Sequence, residues 1–124
     1  MRTPILKQGG YLIATLQPSA SDSDFVNLRE DLLAGVCAAR ARGVVIDVTA
    51  LDVLDSFASR SLKSLAQMVK LRGAHTVIVG IQPDVAFAMV QLGLTLPGID
   101  TALDLEEGLL VLHEREREGS DDGR

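Results

Sequence analysis

The 124-residue chain contains one cysteine and no tryptophan, and aromatic residues make up only 3% of it. Cys37 alone cannot form an internal disulfide, and the sequence has no signal peptide, so we expect a reducing, cytoplasmic environment. Proteins that bind single-stranded nucleic acid depend on stacking rings and a basic groove, whereas this chain has few rings and a net charge of −5. We therefore expect no nucleic-acid ligand.

The sequence also lacks membrane spans, metal-ligand spacings and standard catalytic motifs. No apolar run approaches the roughly 18 residues that a membrane span needs. His75 and His113 lie far apart, and no cysteine stands at a ligand spacing from either, so we expect no metal. Gly-x-Ser-x-Gly, Walker A, Gly-x-Gly-x-x-Gly and His-Glu-x-x-His sequences do not occur. We therefore assign no catalytic residue and no cofactor, and an enzyme is not favoured.

The apolar residues alternate between strand-like and helix-like patterns. Segments 5–7 and 11–16 flank Gly9-Gly10, which predicts an N-terminal hairpin. Runs at 44–48 and 76–81 predict strands buried on both faces, and 99–103 predicts a last short strand. Helical spacing covers 25–39, 56–72, 83–92 and 104–112. The sequence thus predicts an α/β fold: a mostly parallel sheet with an antiparallel N-terminal strand and helices packed against it.

The end of the chain differs in composition from the rest. From Glu114 onward, charged residues and glycine dominate. Such a segment buries too little apolar surface to hold a fixed structure. We therefore expect one domain over residues 1–113 and a charged, disordered tail over residues 114–124.

The most informative segment leads from Asp47, at the end of a buried strand, into a helix that starts near Ser56. At about 100° per residue, Arg60 and Lys63 share the direction of Ser56, while the apolar positions cluster on the opposite side. Residues 56–72 contain no acidic side chain and four basic ones: Arg60, Lys63, Lys70 and Arg72. The sequence predicts an exposed, locally positive helix face that begins at Ser56.

The residues alone leave two interpretations of Ser56 open. A phosphoryl group on Ser56 would meet unpaired backbone N–H groups at the start of a helix, with Arg60 one turn away. Alternatively, Ser56 serves only as the N-cap of that helix. Asp47 and Asp52 could suggest a carboxylate cluster, but no second acidic pair or lysine completes a phosphotransfer site. We therefore expect Asp47 to end a strand and cap a local turn.

Several segments together resemble the STAS domain family (sulfate transporter and anti-sigma factor antagonist). The segments are Pro4-Ile-Leu-Lys7, Gly43-Val-Val-Ile-Asp47-Val-Thr, Asp55-Ser-Phe57, Gly80-Ile-Gln-Pro83 and Thr101-Ala-Leu-Asp104-Leu-Glu. The resemblance extends from Arg2 to about Leu112. Within the family, the chain is most similar to the serine-bearing single-domain scaffolds of the stressosome, the RsbS type.

This resemblance implies a non-catalytic scaffold in a large cytoplasmic complex. In such a complex, the scaffold forms homo- and hetero-oligomers with STAS-domain sensor paralogues of the RsbR type and sequesters a serine/threonine switch kinase of the RsbT type. The kinase phosphorylates the scaffold serine and leaves, and a cognate phosphatase restores the serine. The alternative within the family is a free anti-sigma factor antagonist that binds an anti-sigma kinase outside a large complex.

The resemblance also implies which residues act. The phosphorylated serine of the family corresponds to Ser56, which follows Asp55 directly. Ser59 and Ser61 are further hydroxyls near the motif, so the choice of Ser56 depends on its place directly after Asp55. We expect the region that contacts the phosphate or a partner to comprise five residues: Asp55, Phe57, Ser59, Arg60 and Lys63.

Overall fold

The computed structural model describes residues 3–122, and side chains over residues 3–118. In chain order its elements are β1 (Ile5–Gln8), β2 (Tyr11–Thr15), α1 (Asp22–Ala39), β3 (Gly43–Asp47), α2 (Ser56–Leu71), β4 (His75–Val79), α3 (Pro83–Gln91), β5 (Asp100–Ala102) and α4 (Leu105–Asp122). The strands form one sheet in the order β1-β2-β3-β4-β5. Only β1 and β2 pair antiparallel, and the other neighbours are parallel. The predicted α/β architecture is confirmed.

The N-terminal hairpin turns at two glycines. Gln8 pairs with Tyr11, so Gly9 and Gly10 form the whole turn. Gly9 has a φ of 60°, which glycine adopts without the steric penalty of a Cβ atom. The turn sets β1 at one edge of the sheet.

The helices occupy both faces of the sheet. A connection between parallel strands is right-handed, so crossovers between successive neighbours return over the same face. Helices α1, α2 and α3 accordingly share one hydrophobic core, and α4 packs on the opposite face against β3, β4 and β5. In β3, Val44 and Ile46 point into the first core and Val45 into the second. All three are fully buried, so β3 is covered on both faces, as its β-branched run predicts.

Helix α4 extends beyond the point where a disordered tail was expected. Arg115 donates two hydrogen bonds to the Asp100 carboxylate, at 2.9 and 2.8 Å. Glu116 accepts a hydrogen bond from the Tyr11 hydroxyl at 2.6 Å and forms an ion pair with Arg42. These charged side chains have partners on or beside the sheet, and the helix continues through them. Residues 114–118 are therefore helical, and the expectation of a disordered segment does not hold for them. Residues 123 and 124 of that segment lie outside the described residues.

Candidate functional site at the start of helix α2

The loop between β3 and α2 is anchored by a turn at its first residues. Asp47 Oδ1 accepts hydrogen bonds from the backbone N–H of Thr49 at 2.9 Å and from its hydroxyl at 2.6 Å. Further along the loop, Leu51 and Leu54 are buried in the core beneath α1–α3. The interpretation of Asp47 as a strand end that caps a local turn is confirmed.

The loop after β4 closes against the same turn. Gln82 Nε2 donates a hydrogen bond to the Thr49 carbonyl oxygen at 2.5 Å. Gly80 has a φ of 82°, and a Cβ atom there would lie only 1.9 Å from Thr49 Oγ1. Sequence analysis did not connect Gln82 with this site. The position of Gln82 shortly after a predicted strand could have indicated this contact, because the carboxyl ends of adjacent parallel strands meet at one edge of a sheet.

Asp55, and not Ser56, caps helix α2. Asp55 has an extended backbone, with φ −79° and ψ −177°, and its Oδ1 accepts a hydrogen bond from the Ala58 N–H at 2.8 Å. Ser56 is the first residue of the helix, and its side chain is exposed. The interpretation of Ser56 as the N-cap is therefore wrong, because the carboxylate of the preceding residue already fills that role.

The two neighbouring serines are buried. Ser59 is 1% exposed and Ser61 is 7% exposed. Helical rotation turns Ser59 toward the interior beside Ala58 and Leu62, and its hydroxyl has no hydrogen-bond partner in the structure. The expectation that Ser59 contacts a phosphate or a partner directly does not match this burial. Of the serines at 56, 59 and 61, only Ser56 is an exposed residue.

The remaining predicted residues lie around Ser56. Phe57 is half-buried and packs against the core beneath α1–α3, so it fixes the first turn of α2. Arg60 is exposed and Lys63 partly exposed. Together with exposed Lys70 they form the α2 basic face, which is defined by these three cations. Helix α2 contains no acidic residue, so the predicted positive face is present in the structure.

A cavity with three acidic lining residues lies beside the start of helix α2. Its volume is about 230 Å³, and α1 and the β3–α2 loop contribute to its lining. The charged residues of its lining are Asp22, Asp52 and Asp55. Exposed Ser56 follows directly after Asp55 and precedes the α2 basic face. A charge added to Ser56 would therefore act on both surfaces at once.

Two features are not found in the described part of the chain. None of its helices combines the length and the hydropathy that crossing a membrane requires. Over the same residues, no three His, Cys, Asp or Glu side chains lie together in a group that could hold a metal ion.

Comparison with protein families identifies the domain. The STAS domain model matches residues 6–107. RsbRA of Bacillus subtilis strain 168, an RsbT co-antagonist protein, is 33% identical over 82 residues, which is 66% of this chain and 30% of RsbRA. RsbRC of the same organism, also an RsbT co-antagonist protein, is 31% identical over 87 residues, or 31% of its length. The chain thus spans less than a third of these two curated relatives.

The similarity to two solved structures covers nearly the whole chain. RsbS of Moorella thermoacetica, solved as a serine-to-glutamate variant, has a TM-score of 0.79 and 35% identity, covering 93% of this chain and 97% of RsbS. A chain of the stressosome, described as a signal integration and transduction hub, has a TM-score of 0.77 and 36% identity, covering 92% and 99%. The chain belongs to the STAS domain family, and its fold and sequence are of the RsbS type.

Proposed function

We propose that the chain is a non-catalytic scaffold of a stressosome that sequesters a serine/threonine switch kinase of the RsbT type and releases it when Ser56 is phosphorylated. It would assemble in the cytoplasm with RsbR-type sensor paralogues, and a cognate phosphatase would restore the serine. The near full-length similarity to RsbS and to a stressosome chain supports the scaffold role. The partial similarity to RsbT co-antagonist proteins supports the kinase as partner.

The observation that carries this proposal is the exposure of Ser56 at a helix start whose cap is Asp55. The kinase would transfer the γ-phosphoryl group of ATP to Ser56 Oγ, with loss of the hydroxyl proton and departure of ADP. Neither the cap hydrogen bond nor the core packing of Phe57 has to break for the serine to react. The domain can therefore be modified in its folded state.

The charges around Ser56 give a physical reason why phosphorylation would release the kinase. A phosphoryl group adds about −1.5 to −2 charges at neutral pH. This charge would stand next to Asp55 and the acidic cavity and would compete for Arg60 with acidic groups of a bound partner. A kinase that packs against the neutral hydroxyl would also have to desolvate the phosphate, which is costly. Phosphorylation therefore weakens an interface that includes Ser56.

The first experiment identifies the modified residue. Purified chain is incubated with an RsbT-type kinase and ATP, and phosphopeptides are mapped by mass spectrometry. We expect phosphate on Ser56 and none in Ser56→Ala, whereas the matched variant Ser59→Ala is phosphorylated like the wild type because that side chain is buried. Phosphate on Ser59 or Ser61, or undiminished incorporation in Ser56→Ala, would contradict the proposal.

The second experiment measures release and assembly. With ATP present, Ser56→Ala should retain the kinase, while wild type releases it. Ser56→Asp should release it only in part, because a carboxylate adds one charge and lacks the phosphate oxygens. Sedimentation with an RsbR-type protein separates this function from that of a free antagonist, which would give a small complex with an anti-sigma kinase and no large assembly.

A further inference from the structure

A cleft lies at the edge of the sheet where β4 and β5 begin, opposite the edge near Ser56. His75 is the first residue of β4 and Asp100 the first residue of β5, while Lys70 belongs to the last turn of α2. The cleft has a volume of about 320 Å³, and its lining residues are Lys70, His75, Gly98, Ile99, Asp100 and Arg115. We call it the β4–β5 cleft. Its volume is at the lower end of the range for small-molecule sites.

A narrow recess adjoins the β4–β5 cleft and reaches Thr76. The recess has a volume of about 20 Å³ and shares Lys70, His75, Gly98 and Asp100 with the cleft. Thr76 is 5% exposed, and its hydroxyl has no hydrogen-bond partner within the described residues. A buried hydroxyl that lacks a partner costs free energy. The recess has room for about one water-sized oxygen atom, and such an atom would give this hydroxyl its missing partner.

The charges of the β4–β5 cleft leave Lys70 free to bind a ligand. Arg115 donates two hydrogen bonds to Asp100 and forms an ion pair with Glu118, so its guanidinium group is already occupied. The hydrogen bond from Arg115 lowers the pKa of Asp100, and the charge of His75 adds to this effect. Asp100 is therefore ionised at neutral pH and its charge is balanced by Arg115. Lys70 is exposed and has no ion-pair partner among the residues that the structure describes.

We propose that the β4–β5 cleft binds the phosphoryl group of a small phosphate compound, held by the Lys70 ammonium, the His75 ring and the Thr76 hydroxyl. A carboxylate is bound best by the planar fork of an arginine, but the fork of Arg115 is occupied by Asp100. Lysine binds phosphate as a point charge, and a phosphoryl group offers three acceptor oxygens. Donors that come from α2 and from β4 can each reach a different oxygen. A phosphate therefore suits this set of donors better than a carboxylate does.

The shape of the cleft favours a small molecule as the source of the phosphoryl group. Half-buried Ile99 adds an apolar wall beside the polar lining. A short organic group can pack against this wall while the phosphoryl group contacts the donors. We therefore expect a phosphate monoester to bind more tightly than inorganic phosphate.

This inference stands independently of the proposed phosphorylation of Ser56. Lys70 is shared with the α2 basic face, but the other residues of the β4–β5 cleft are not. At about 1.5 Å of rise per residue, the helix separates Ser56 from Lys70 by about 21 Å. Phosphate binding is measured on the chain alone, without kinase or ATP. Each proposal can therefore fail while the other holds.

Amide NMR of the isotope-labelled whole chain, titrated in a phosphate-free buffer, tests the cleft. The probes are glycerol phosphate, inorganic phosphate and, for comparison, acetate at matched ionic strength. We expect both phosphates to shift the backbone amides of His75, Thr76 and Gly98 in a saturable way, whereas acetate should leave them nearly unchanged. The phosphate that binds more tightly identifies the source of the phosphoryl group.

Two substitutions test the proposed donors. Lys70→Gln should weaken binding of glycerol phosphate by about tenfold or more, because it removes a charged donor. The matched control Lys7→Gln removes the same charge from exposed β1, outside the cleft, and should bind like the wild type. Thr76→Val should also weaken binding. It should not lower the melting temperature, because the hydroxyl that it removes has no partner in the folded chain.

Four results would overturn the proposal. The first is the absence of saturable shifts with either phosphate. The second is equal binding of acetate, and the third is a loss with Lys7→Gln as large as that with Lys70→Gln, since both would indicate a general attraction of anions. The fourth is a shift of the same amides only with an RsbR-type protein, which would assign the cleft to a partner protein.

Discussion

The hydrogen bond from the Ala58 N–H to Asp55 Oδ1, at 2.8 Å, closes the first turn of helix α2 without using the serine between them. The aspartate therefore stabilises the helix, and Ser56 is left at an exposed position where chemistry does not disturb the cap. Two adjacent residues thus have separate tasks, one in folding and one in the proposed signalling.

This separation predicts different effects of two adjacent substitutions. Asp55→Ala removes the cap and should lower the free energy of unfolding by about 1 kcal/mol. Ser56→Ala should change it by less than about 0.5 kcal/mol, because an exposed first-turn residue contributes little. Urea denaturation of both variants measures the difference. A larger loss for Ser56→Ala than for Asp55→Ala would show that the serine carries the cap in solution.

The α2 basic face should affect binding more than folding. Arg60→Glu combined with Lys63→Glu should leave the melting temperature nearly unchanged and weaken binding of the kinase, since both cations lie beside Ser56 on the surface. The control is Lys7→Glu with Arg117→Glu, which produces the same change in net charge on β1 and α4. Calorimetric titration with the kinase measures both pairs. Equal weakening would indicate a general charge effect and not a local contact.

Gly80 should be less replaceable than Gly93, a second glycine with a positive φ. Gly80→Ala would force a left-handed backbone on alanine and would push its Cβ into Thr49 Oγ1. Gly93→Ala shares the positive φ, at 69°, but meets open space. We expect a loss of about 1 kcal/mol for Gly93→Ala from backbone strain and a larger loss for Gly80→Ala. Equal losses in urea denaturation would mean that the loop after β4 can move away from Thr49 at little cost, so that the close approach at Gly80 does not matter.

The Asp100–Arg115 pair should make stability depend on pH. The hydrogen bond from Arg115 lowers the pKa of Asp100 below its ordinary value of 3.8. A carboxyl with a depressed folded pKa stabilises the fold above its unfolded pKa, and this contribution disappears as the pH falls through the folded pKa. Asp100→Asn should therefore destabilise the chain at pH 7 and have a progressively smaller effect below pH 3.8.

A double-mutant cycle with Arg115→Met provides the check on this pair. The coupling between the two substitutions, measured by thermal unfolding, should be present at pH 7 and vanish in acid. A coupling that is equally large once Asp100 is protonated would show that packing, and not the charge, joins the two residues.

The local patterns of the sequence were sufficient to predict the sheet and its helices. The β-branched run of β3 and the helical spacing of α2 each result from burial that repeats along a single element. The hairpin depended on one dipeptide, Gly9-Gly10, whose conformational freedom is a local property.

Contacts between distant residues escaped prediction. Tyr11 and Glu116 are 105 residues apart, and composition alone made the second of them look like part of a tail. Asp55 and Ser56 are both good cap residues, so local chemistry could not decide which one begins the helix. The burial of Ser59 likewise depends on which neighbouring elements cover α2, and the spacing of one helix does not contain that information.

The loop that leads into Ser56 is held at both ends, by the Asp47–Thr49 turn and by the Asp55 cap, and it is held in the middle by buried Leu51 and Leu54. Phosphorylation of Ser56 removes none of these contacts, so the new charge acts on a loop whose anchoring contacts remain in place. Under the proposed function, phosphorylation would therefore work as a chemical label on a rigid support. The conformational change that transmits the signal would have to occur in the partner that reads the label.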